Sequence, residues 1–116
     1  MKENIIAEKS YRFAIEIIEV YKRLSQDKRE FVLSKQLLRS RTSIGANIEE
    51  AIGGISKKDF VAKMQISYKE TRESRYWLRL LHDSGFLSTN DYEKLLSSCD
   101  ELLRIISAIL KSSKKE

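Results

Sequence analysis

Leu38-Arg39-Ser40-Arg41-Thr42-Ser43-Ile44-Gly45-Ala46-Asn47-Ile48-Glu49-Glu50-Ala51 is the stretch whose reading decides the fold. Ser40, Ser43, Asn47 and Glu50 recur at i, i+3, i+7 and i+10. A helix of about 3.6 residues per turn lines them up as one stripe. Leu37, Ile44, Ile48, Ala51 and Ile55 form an apolar stripe beside it. A polar row bordering a core face is expected to find its partners on another helix, because polar groups out of water are paired.

The rest of the chain carries the same helical punctuation. It has no proline and four glycines; Gly53-Gly54 and Gly85 fall where helices should stop, and only Gly45 interrupts a helical pattern. Strand-like alternation is absent, so the class is all-α. Helix one is expected from about Asn4 to Leu24, with Ile6, Ser10, Phe13, Ile17, Val20 and Leu24 on one heptad face. Tyr11, Ala14, Ile18 and Tyr21 widen its apolar surface beyond the ~100° stripe that a surface helix needs. That excess predicts either a thicker core or a second contact surface.

Asp27 and Glu30 read as a capping box opening helix two, which should end at Gly53-Gly54. Ser56 with Asp59 forms the next box and Ile55 with Phe60 its hydrophobic staple, so helix three should start near Lys57 and stop near Asp83. Ser88 with Asp91, and Leu87 with Tyr92, repeat the device for helix four. Tyr92, Leu95, Leu96, Cys99, Leu102, Leu103, Ile106, Ile109 and Leu110 make its apolar face. Connections of two to five residues force antiparallel neighbours, and an up-down-up-down four-helix bundle follows.

A chain of 116 residues with 41% hydrophobic content fits a single domain, 1–116, with a polar tail at 111–116 expected to fray. No stretch approaches the ~18 uncharged residues of a membrane span. Acidic residues inside the first nine positions point away from a signal peptide, and the single Cys99 cannot form an internal disulfide. A reducing cytoplasm is the expected location.

Enzymatic chemistry finds little support. The Glu-x-x-His pairs of di-iron bundles are missing, since the sole histidine, His82, has Arg79 three residues before it. No metal or cofactor is therefore expected, and His82 reads as an exposed residue suiting the end of a helix dipole. No glycine-rich phosphate loop occurs. Cys99 sits on an apolar seam and reads as a buried, inert thiol.

Two features compete for function. Ser67, Thr71 and Ser74 occupy heptad positions of helix three where leucine is usual, at the depth of Ser43, Asn47 and Glu50 on helix two. They read as a buried polar network that fixes helix pairing, or alternatively as a small ligand pocket. The net charge of +5 is concentrated over residues 54–83, which carry +3. Within them Lys69, Arg72, Arg75 and Arg79 make a basic row flanked by Tyr68 and Tyr76. Arginine forks beside aromatic rings suit phosphates and unstacked bases. The competing reading is a solvated face whose arginines pair with Glu73 or Asp83, or meet another subunit.

The motif Ser43-Ile44-x-x-Asn47-Ile48-x-Glu50, preceded by Gln36-Leu37-Leu38-Arg39-Ser40, resembles the signature of the four-helix-bundle proteins encoded in 23S rRNA intervening sequences. Asp59-Phe60, Ile66, Lys69-Glu70-Thr71-Arg72-Glu73 and Tyr76-Trp77-Leu78 resemble the third helix of that family. The similarity runs over about residues 9 to 110. It implies a bacterial protein without a defined biochemical activity, similar in fold to the accessory protein of diversity-generating retroelements. That accessory protein is a pentameric bundle that binds nucleic acid and a reverse transcriptase, so the resemblance implies a homopentamer with a central channel. The accessory protein is more basic than this chain. Two functions follow from the sequence: an oligomeric adaptor or scaffold presenting surfaces to protein partners, or a basic ring that binds RNA or single-stranded DNA.

Overall fold

The apolar heptads, short turns and glycine stops resolve into four helices in the computed structural model. They are α1 (Lys2–Asp27), α2 (Val32–Ile52), α3 (Lys57–Asp83) and α4 (Thr89–Lys114). The structure describes residues 2–114, and the side chains of that span except those at 2, 3, 4 and 42. Each helix packs on its two neighbours in a ring: α1 on α2 and α4, and α3 on α2 and α4. No diagonal pair meets among the described residues. This is the antiparallel up-down-up-down bundle that connections of four or five residues impose. It measures 47 × 20 × 19 Å.

The core is the seam that the heptads predict. Ile6, Phe13, Ile17, Val20 and Leu24 of α1 meet Leu37, Ile44, Ile48 and Ala51 of α2 in one buried cluster. Met64, Leu78 and Leu81 of α3 join Leu95, Cys99, Leu102, Ile106 and Ile109 of α4 in the same cluster. Ser10, placed in the heptad of α1, is buried and donates to the Ala7 carbonyl at 3.0 Å.

The helix ends follow local chemistry. Ser56 Oγ accepts the Asp59 N–H at 3.1 Å, and Ser88 Oγ accepts the Asp91 N–H at 3.2 Å. At the end of α3, Gly85 has φ +83°. The Phe86 N–H reaches the Leu81 carbonyl and the Gly85 N–H that of His82, a Schellman closure.

Two expectations at these ends fail. The box of Asp27 and Glu30 does not form, because Asp27 is the last residue of α1. The chain leaves α1 through Arg29 at φ +51°, a left-handed position that glycine would occupy without strain. The Glu30 carboxylate then accepts the N–H groups of Val32, Leu33 and Ser34 at 3.2, 3.1 and 2.8 Å. Glutamate is long enough to cap the helix from two residues outside it.

The staple of Ile55 on Phe60 is also absent. Ile55 is fully exposed, because α2 ends at Ile52 and the Gly53-Gly54 turn carries the next residue into solvent. It therefore does not belong to the apolar stripe of α2.

Candidate functional site

Around the α3–α4 contact, the spacing of Tyr68, Arg72, Arg75, Tyr76 and Arg79 brings five side chains to one surface of α3. Together with Leu103 of α4 they line an open groove of about 340 Å³. Arg75 is fixed there: its Nε donates to Asp100 Oδ1 at 2.8 Å. That hydrogen bond, and then the Asp100 charge, pushes the Arg75 pKa above its ordinary value. Arg72 and Arg79 are exposed and make no hydrogen bond or ion pair among the described residues. One guanidinium is held in place and two are open to an incoming anion.

Three of the four residues in the expected basic row thus share the groove. Lys69 does not line it; the helix turns its exposed side chain to the flank. The expected ion-pair partners differ as well. Asp83 contacts His82, and Glu73 faces α2 instead of the arginines.

Glu73 is the hub of a polar cluster between α2 and α3. Its Oε1 accepts from the Arg39 guanidinium, from Ser40 Oγ at 3.3 Å and from Trp77 Nε1 at 3.3 Å. Arg39 also lies 3.5 Å from Oε2 of the nearly buried Glu70. Trp77 meets Tyr76 edge-on, with ring centroids 5.2 Å apart and planes at 70°. A continuous set of contacts thus runs from α2 to a wall of the groove.

The expected buried polar network is only partly assembled. Ser67, Thr71 and Ser74 are buried, but each hydroxyl donates to a backbone carbonyl: Ile44 at 3.0 Å, Ser67 at 2.7 Å and Glu70 at 3.1 Å. Only Ser67 crosses to α2. Asn47 bonds the Ser43 carbonyl of its own helix at 2.8 Å, and both residues are half-buried. Glu50 is exposed and pairs with Lys63 of α3 at 3.7 Å. The stripe on α2 curves away from the core toward its C-terminal end, so its last member reaches solvent. The small hydroxyls of α3 serve close helix approach.

Other reactive groups are committed. Cys99 is buried, donates to the Thr71 carbonyl at 3.3 Å, and has its thiol pushed up to about 12 by burial. His82 is half-buried, not exposed: it stacks on Tyr92 at 4.2 Å and contacts Thr89 and Asp83. Among the described residues no group of three His, Cys, Asp or Glu side chains could hold a metal ion. No helix of the described residues is long and apolar enough to cross a membrane.

A second surface lies on the opposite side, between α1 and α2. Ala7, Tyr11, Ala14, Ile15 and Ile18 line a largely apolar groove of about 330 Å³ with Arg41 and Gly45. Tyr11 is 69% exposed and Ile15 42%. Arg41 Nε is buried there without a hydrogen-bond partner among the described residues, and burial pushes the Arg41 pKa down.

Sequence reasoning missed Asp100, Leu103, Arg39 and the hub role of Glu73. Arg75 and Asp100 lie at comparable removes from the turn at 84–88, so antiparallel pairing of α3 and α4 is the signal that could have found that contact.

The sequence profile of the 23S rRNA-intervening sequence proteins matches residues 2–108. A crystal structure of a protein with unknown function from the S23 ribosomal protein family of Bacteroides thetaiotaomicron is 42% identical. It superposes with a TM-score of 0.94 over 96% of this chain and 99% of that one. No functionally curated protein matches. With nearly the whole bundle matched in sequence and in backbone, the chain belongs to the 23S rRNA-intervening sequence protein family.

Proposed function

We propose that this chain is a non-enzymatic oligomeric protein that binds RNA or single-stranded DNA in the arginine groove of α3. One observation carries the reading: among the described residues Arg72 and Arg79 are unpaired beside Arg75, in a groove walled by Tyr68 and Tyr76. Guanidinium forks recognise phosphate oxygens in a way that lysine does not. A surface built only for solubility would pair its arginines with acids on the same helix. Here Glu73, the nearest acid in sequence, is drawn to Arg39 and leaves the row uncompensated. Fluorescence anisotropy with labelled single strands tests the proposal. Wild type binds, and Arg72→Gln with Arg79→Gln weakens binding on every sequence alike, since phosphate contacts carry no sequence information.

Self-association is the second part of the reading. The α1–α2 groove exposes Tyr11 and Ile15 around a guanidinium whose Nε lacks a partner. A buried, unpaired donor is costly, and a carboxylate from a neighbouring copy would relieve it. The resemblance to retroelement accessory proteins makes a five-fold ring the expected assembly, and a ring would repeat the arginine groove around its rim. Should no nucleic acid bind, the same assembly would act as an adaptor for protein partners. The reading places the protein in the bacterial cytoplasm.

A further inference from the structure

The groove contains more than charge. Tyr76 lines it and is 54% exposed, although a tyrosine of that size is usually laid against its own helix or a neighbour. Trp77 packs against it edge-on. The T-shaped contact covers at most one face of the Tyr76 ring. Trp77 is itself anchored through Nε1 to Glu73, and Glu73 is tied to Arg39 and Ser40 on the adjacent helix. Through this chain of contacts an exposed aromatic ring is braced on one side, next to two guanidinium groups that have no partner among the described residues.

We infer that Tyr76 is a stacking platform for an unpaired base, so that the groove takes single strands in preference to duplexes. The inference rests on the proposed binding of nucleic acid. Phosphates alone need only the arginines. A π-face held open beside them adds a site for the planar part of the same nucleotide. A duplex keeps its bases stacked inside and presents only its backbone, whereas a single strand can turn a base onto the ring. Every base has a π-face, so the site selects strandedness and not sequence. Glu73 and Trp77 are positioning residues: they touch no nucleotide, and they fix the ring that does. Arg75, held by Asp100, sets the other side of the site.

The test uses oligo-U RNA and oligo-dT DNA of about 15 nucleotides, with duplexes of equal length. Each is titrated against wild type, Tyr76→Ala, Tyr76→Phe and Arg72→Gln. Tyr76→Ala is expected to weaken binding of both single strands fivefold or more and to leave the duplex unchanged. Tyr76→Phe, which keeps the ring, is expected to match wild type. Trp77 is the only tryptophan, so its emission should change when single strands bind and stay constant with duplexes. The inference is overturned if Tyr76→Ala binds single strands as wild type does while Arg72→Gln binds them more weakly. That result leaves the phosphate groove intact and removes the platform. If wild type binds no nucleic acid, the proposed function falls with it.

Discussion

Asp100 on α4 accepts the Nε–H of Arg75 on α3 at 2.8 Å, making Arg75 the one arginine of the groove whose charge is compensated among the described residues. Both side chains remain more than one-third exposed, so the pair contributes less than about 1 kcal/mol to stability. Asp100→Asn is expected to keep the unfolding free energy within that range. It also removes the anion paired with Arg75, so single strands should bind more tightly at low salt. Urea denaturation and anisotropy read the two effects. Weaker binding by this variant would mean that orientation of Arg75 outweighs its charge.

Ser67 sits where the heptad asks for leucine, and its hydroxyl reaches the Ile44 carbonyl of α2 at 3.0 Å. Restoring the heptad with Ser67→Leu is expected to destabilise the bundle by about 1–3 kcal/mol, because the added methylenes enter a filled contact. Ser67→Ala should cost about 1 kcal/mol, the worth of one buried hydrogen bond. Denaturation midpoints compare them. A leucine variant as stable as wild type would show that α2 and α3 are not closely apposed there.

The seams and most stops are legible in the sequence because they depend on near neighbours along the chain. Ile6, Phe13, Ile17, Val20 and Leu24 have to share a face, and the serine caps at 56 and 88 act within three residues. Where a side chain chooses between helices, sequence spacing is silent. Glu73 lies one residue from Arg72 yet pairs with Arg39, a choice set by the register of α2 against α3. The spacing of Asn47 predicts a bond to α3, but the residue bonds backward along its own helix, since it sits on the shoulder of α2. The start of α2 escapes the capping rules because Glu30 caps it after a left-handed Arg29 that no pattern anticipates.

Burial raises the Cys99 thiol from an ordinary 9.0 to about 12. The folded chain therefore keeps the proton while the unfolded chain loses it. This contribution to stability is complete below about pH 9 and is lost progressively toward pH 12. The stability of wild type should fall relative to Cys99→Ala across that window. In native protein the thiol should react with a disulfide reagent only upon unfolding at about pH 8. Rapid modification of the folded protein would contradict the burial.

Assembly is expected to use the α1–α2 groove. Tyr11→Lys places a charge on its apolar wall and should release monomers of 13.5 kDa without loss of helix content. Replacing Arg41 with methionine removes the unpaired buried donor, so it should weaken assembly while leaving the monomer as stable or more so. Light scattering with circular dichroism separates the two effects. A wild type that is already monomeric at micromolar concentration would remove the ring from the account.

The salt dependence of single-strand binding tests the central claim most directly. Each phosphate contact contributes a log–log slope of about −0.7 for single strands. Wild type should bind at about 50 mM salt with a steep slope, and changing Arg72 and Arg79 to glutamine should flatten it by about 0.7 for each phosphate that is no longer neutralised. An unchanged slope in the double variant, or no binding by wild type at that salt, would contradict the assignment of the α3 groove to nucleic acid.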